Sequence, residues 1–145
     1  MKMIRSAFLI LSLITFCCFR TTDYSKDFVF QNSEDVKQGP CAVFVAPTAV
    51  QLDSIKAHMK ESDFFTMTDD NMFYMSNART FLESKNVPMS NVEASGTMKF
   101  RKSDGKIYEM KLSDLKWAII LFNGKSDPIL ANMVGVENDY TRYMK

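Results

Sequence analysis

Two stretches of this chain are apolar without interruption, "CAVFVAP" at Cys41–Pro47 and "WAIILFN" at Trp117–Asn123. Runs of this length with β-branched and aromatic residues predict strands buried on both faces, the second of them central in its sheet. Between them the pattern changes period. In "TAVQLDSIKAHMKE", Leu52, Ile55 and Met59 repeat at helical spacing, and Thr48 with Gln51 three residues on forms the Ser/Thr-x-x-Glu/Gln start signal. "DFFTMT" (Asp63–Thr68) is rich in aromatic and β-branched residues and predicts a short strand. Asp69 or Asp70 can then cap a second helix lined by Tyr74, Met75, Ala78, Phe81 and Leu82, ending near Asn86 before Pro88.

Beyond Pro88 the pattern is one of alternation and turns. "TMKFRK" and "KIYEMKL" flank Ser103-Asp104-Gly105, which predicts a hairpin with glycine at positive φ. Asn123-Gly124 is a second turn signal, after which "PILANMV" is expected to pair with the central strand. "ENDYTRYMK" predicts a short closing helix with Tyr140 and Tyr143 on one side. The order is β-α-β-α followed by a strand-rich half. This predicts one small α+β (or α/β) domain, a mixed sheet covered by helices.

The N-terminus has a different character. Lys2 and Arg5 precede an almost wholly apolar block, Ala7–Phe16, the layout of an export signal. Even extended to Phe19 the apolar stretch is shorter than the ~20 residues that cross a bilayer. Cys17 and Cys18 close it. This stretch resembles a bacterial lipoprotein leader, in which cleavage just before a cysteine is followed by acylation of that cysteine. The resemblance implies Cys17 as the lipidated residue, with Cys18 as the alternative; Ile14 and Thr15 match the pattern before Cys17, and Phe16 departs from it. Cleavage after Cys17 by the ordinary signal peptidase, giving a soluble periplasmic or secreted protein, is the other reading. The chain thus divides into a signal peptide (1–17), a polar tether (18–40) ending in Gly39-Pro40, and a globular domain (41–145). An anchored protein held by more than one acyl chain stays on its membrane.

Composition narrows the rest. The 145 residues carry 18 Lys+Arg against 17 Asp+Glu, and loss of Lys2 and Arg5 with the leader leaves 16 against 17. That total implies no nucleic-acid partner. Twelve Phe and eleven Met predict an aromatic, thioether-rich core. Three cysteines allow at most one bridge, so the domain must rest on its core, with Cys41 expected as a buried, inert thiol.

The chemical signatures of an enzyme are weak. His58 is the only histidine and no Cys-x-x-Cys or His-x-x-His spacing occurs, so no metal site is expected. The five glycines form no phosphate-binding loop, and no cofactor is implied. The element order is similar to that of the thioredoxin fold, whose thiols open the first helix; the matching place here reads Ala46-Pro47-Thr48-Ala49 and implies topology without redox activity. A Cys41–His58 nucleophile pair would need an exposed thiol, and His58 is instead expected on the surface near a helix C-terminus. The acidic group Asp69, Asp70 and Asn71, expected in a loop at a strand's end, is the candidate ligand-binding site for a cation or a basic partner; helix capping is the simpler role of its acids. These features favour an exported, membrane-anchored envelope protein that binds another protein or a small ligand. The alternatives are a carboxylate-dependent envelope enzyme, an immunity or inhibitor protein, and a structural envelope component.

Overall fold

The computed structural model describes residues 36–145. The leader, both of its cysteines and residues 18–35 of the tether lie outside the described residues. The elements run β1 (Val36–Gln38), β2 (Cys41–Ala46), α1 (Ala49–Ala57), α2 (Glu61–Ser84), β3 (Met89–Glu93), β4 (Thr97–Arg101), β5 (Ile107–Lys111), β6 (Ala118–Phe122), β7 (Ile129–Ala131) and α3 (Val136–Asp139), continued by a π-helical turn at Tyr140–Met144. This is a small single-domain α+β fold.

The strands form two mixed sheets rather than the single one expected. Four are ordered β3-β2-β6-β7 and three are ordered β1-β4-β5. In the larger sheet β2 runs parallel to β3 and antiparallel to β6, and β7 is antiparallel to β6. Parallel β2 and β3 need a long crossover, which α1 and α2 supply.

The apolar runs are continuous because both faces of the larger sheet are covered. Side chains alternate along a strand. Cys41, Val43 and Val45 of β2, with Ile120 and Phe122 of β6, pack against Met98 and Phe100 of the smaller sheet. Ala42, Phe44, Ile119 and Leu121 face the other way, onto Met75, Ala78 and Leu82 of α2 and Val136 of α3. The molecule is thus three layers: small sheet, large sheet, helices. Edge-to-face ring pairs join them, Phe100 with Phe122 at 5.1 Å between the sheets and Phe81 with Tyr140 at 5.5 Å between α2 and the C-terminal turn.

Local signals account for most boundaries. Thr48 Oγ1 accepts from Gln51 N, and Gln51 Oε1 accepts from Thr48 N at 2.8 Å, a complete capping box. Gln51 also donates to Ala94 O and Ser113 O, tying the start of α1 to the segments that follow β3 and β5. Helix α1 ends at Ala57, so Met59 lies beyond it, and none of its residues is fully buried. At the end of α2, Asn86 takes φ +56°, Asn86 N donates to Glu83 O and Val87 N to Leu82 O. This paired closure with a left-handed residue is the Schellman arrangement. The Asp104-Gly105 hairpin joins β4 to β5 in antiparallel register, with Gly105 at φ +86°. Asn123 anchors the next turn: its Oδ1 accepts from Lys125 N and Ser126 N, while its Nδ2 donates to Tyr143 O.

Three expectations are corrected. Asp63–Thr68 is not a strand: α2 begins at Glu61, and those residues are its first turns. Asp69 and Asp70 therefore lie inside the helix and cap nothing. Their supposed loop at a strand's end does not exist. Strand β3 is an element that the pattern beyond Pro88 did not single out, because its Ser90 and Asn91 are polar yet buried. Finally, Val36–Gln38, read as tether, pairs in parallel with Lys99–Arg101 as β1.

Candidate functional site

Helix α2 has 24 residues, and its two halves are built differently. Phe64, Thr68, Asn71, Met75, Ala78 and Leu82 recur every three or four positions, the spacing of one helix face. Only Phe64 of the first three is apolar. The buried residues of the helix are accordingly Phe64, Met75, Ala78 and Leu82. In the N-terminal half, Phe64 meets Phe65 edge-to-face at 5.7 Å, and Lys56 Nζ of α1 lies 5.9 Å and 5.7 Å from their ring centres. No side chain caps its start at Lys60, while Glu61 and Asp63 in the first turn complement the helix dipole.

On the outer side of that half, Phe65, Asp69 and Phe73 follow one another at four-residue intervals and form a stripe. Phe65 is 51% exposed and Phe73 56% exposed. Both are large for solvent-facing positions, and they lie on one helix side. Residues 61–78 carry four acids, Glu61, Asp63, Asp69 and Asp70, and no Lys or Arg. Asp69 and Asp70 are exposed, and Asn71 donates its side-chain amide to Met67 O at 2.8 Å. The structure thus does not bring the three predicted residues to one place: Asp69 and Asp70 are exposed, while Asn71 lies on the core-facing stripe and is part-buried. Composition had marked the acids; the two exposed phenylalanines were missed, although their spacing from Asp69 could have shown them.

Clefts occur elsewhere. One of about 360 Å³ lies between α2 and the C-terminal segment, lined by Tyr74, Asn77, Phe81, Met133 and Val134 among others. Another of about 320 Å³ is bordered by Ile55, His58, Met59 and Lys116. A third, about 360 Å³, lies beside Arg101, Lys102 and Ser103. Asp69, Asp70 and Asn71 line none of these three. Among the described residues, no group of three or more His, Cys, Asp or Glu side chains is placed to hold a metal ion.

Neither member of the Cys41–His58 pair is arranged for catalysis. Cys41 is buried and unbridged, and burial pushes its thiol up to about 11, so it keeps its proton at neutral pH. His58 is exposed at the end of α1, with Nδ1 2.7 Å from Ser54 O. The buried polar side chains serve the core: the Arg79 guanidinium lies 4.4 Å from the Phe44 ring centre and donates to Asn91 Oδ1. Tyr143 Oη donates to Asp127 O at 2.8 Å, and partial burial raises its pKa. Among the described residues no helix is long and apolar enough to cross a membrane. No known protein family, curated protein or solved structure matches the chain.

Proposed function

We propose that this chain is an exported cell-envelope protein, anchored through lipid on Cys17 (or Cys18), whose folded domain binds another protein through the N-terminal half of α2. One observation carries the binding role: the exposed Phe65–Asp69–Phe73 stripe within a segment of four acids and no cation. Aromatic side chains are common anchors of protein interfaces, and complementary charge steers and orients the encounter. The partner surface is accordingly basic, with apolar residues to receive the two rings. Export rests on Lys2 and Arg5 before Ala7–Phe16, and anchoring on the two cysteines that follow.

The carboxylate-enzyme alternative is disfavoured by the same geometry. Asp69 and Asp70 are exposed neighbours on the helix and line none of the three clefts, whereas acid–base chemistry needs carboxylates converging on a substrate. An inhibitor or immunity role is one form of the binding reading and uses the same surface. Two measurements test the proposal. Intact-mass analysis of the membrane fraction should show fatty-acyl mass on the first cysteine; an unmodified N-terminus overturns the anchor. Capture from envelope extract should be lost when Phe65 and Phe73 are both changed to Ser, and a partner retained by that variant overturns the proposed surface.

A further inference from the structure

The near-zero net charge conceals a separation. Residues 61–78 hold four acids and no cation, while residues 97–111 hold five cations and two acids. These segments occupy opposite sides of the molecule. Helix α2 covers one face of the large sheet, and β4 and β5 belong to the small sheet packed on the other.

The outer face of the small sheet follows from its register. Along β4, Met98 and Phe100 are buried while Thr97, Lys99 and Arg101 are exposed. Val36 and Gln38 of β1 pair with Lys99 and Arg101, and β5 sets Lys111, Glu109 and Ile107 opposite Thr97, Lys99 and Arg101. Paired residues share a side of a sheet. The exposed face therefore presents Lys99, Arg101 and Lys111 together with two apolar residues, Val36 at 39% and Ile107 at 43% exposure. Glu109 is its one acid among the strand residues, 3.5 Å from Lys99.

At the end of this face lies the notch beside Arg101, Lys102 and Ser103. Bare backbone forms another part of its lining: Gly39 approaches Gly124 so closely that a Cβ on Gly39 would lie 2.4 Å from Gly124 N. Lys102 Nζ is held by Asp127 at 2.6 Å, Lys106 is 3.8 Å from Asp104 and Lys111 3.3 Å from Asp114. The exposed Arg101 guanidinium takes part in none of these pairs. A planar guanidinium left open beside side-chain-free backbone suits a phosphate oxyanion. The described chain also begins on this face, since Val36 in β1 is the described residue nearest in sequence to Cys17 and Cys18.

We infer that the outer face of the small sheet docks on an anionic bilayer, with Val36 and Ile107 at the interface and a lipid phosphate in the notch beside Arg101. The inference rests on the anchored reading, and it gives the domain an orientation: small sheet toward the membrane, α2 away from it. Basic residues near an anionic leaflet gain from its surface potential, and salt screens the gain.

The test reconstitutes the full-length protein in vesicles of phosphatidylcholine alone or with phosphatidylglycerol, and maps lysine acylation by a water-soluble reagent. Labelling of Lys99, Lys106 and Lys111 should fall several-fold only with the anionic lipid and recover in high salt, while Lys85, at the end of α2, stays unchanged. Arg101→Glu should abolish the protection without altering thermal stability, because Arg101 is exposed. Equal labelling in both vesicles, or protection that persists in the variant, overturns the inference. So does recovery on adding inorganic phosphate at matched ionic strength, which would make the notch a site for a free anion. Intact mass of the same preparation reports the anchor separately: acylated protein without protection refutes the docking face alone, and unacylated protein with protection refutes the anchor alone.

Discussion

The two halves of α2 share one helix and obey different rules. The C-terminal half places Met75, Ala78 and Leu82 against the large sheet and closes with a left-handed Asn86. The N-terminal half buries Phe64 alone and turns Phe65 and Phe73 to solvent. Stability and the proposed recognition are thus set side by side along one element. The core end holds the helix in place, and that rigidity lets the other end display aromatic rings at little cost in ordering on binding.

Substitutions in the two halves should separate cleanly. Leu82→Ala, at a fully buried position, should cost ~2–5 kcal/mol in denaturant unfolding, from lost burial and the cavity left behind. A cost below that of an exposed-site change would mean that the C-terminal half is not the anchor. The next effect lies outside the helix and measures the other core. Cys41 titrates near 9.0 when unperturbed and at about 11 when buried, so the folded state favours the protonated thiol. Its contribution is complete below pH 9.0 and is lost as pH rises toward about 11, amounting to about 2–3 kcal/mol. Unfolding curves across that range should flatten in Cys41→Ala relative to the parent.

Smaller effects belong to the helix ends. Thr48→Ala removes the α1 cap and should cost ~1 kcal/mol. Asn86→Gly should be close to neutral, since both residues accept the left-handed conformation, whereas Asn86→Val should destabilise by ~1–2 kcal/mol. Smallest of all on stability should be Phe73→Ser, within ~0.5 kcal/mol by thermal melting, as for other exposed positions. Combined with Phe65→Ser, which also gives up the edge contact with Phe64, it should lose partner capture. A large loss of stability would instead assign those rings to the fold.

Much of the fold was legible where chemistry and environment coincide. Cys41–Val45 and Ile119–Phe122 are apolar throughout because helices cover one face and the small sheet the other. The Thr48–Gln51 box and the Asp104-Gly105 turn announce themselves because each satisfies a local backbone need. The start of α2 was hidden for two reasons. Lys60 is not a capping residue, and Thr68 and Asn71 interrupt the apolar period that would join Phe64 to Met75. Strand β3 was hidden because Asn91 is buried through a hydrogen bond from Arg79, a partner that only the folded chain supplies. The candidate site was half visible. Its acids stood out as a group, but their placement in a loop depended on the misread strand. A count of net charge could not show that acids and bases had been sorted to opposite faces.

The position of β2 has a consequence for how the molecule comes into being. It is the first long strand among the described residues, yet one neighbour, Met89–Glu93, follows two helices later, and the other, Ala118–Phe122, comes only after the β4–β5 hairpin. Pairing across such distances in sequence is slow, and it cannot begin before the partner exists. The large sheet therefore cannot close until Ala118–Phe122 has left the ribosome.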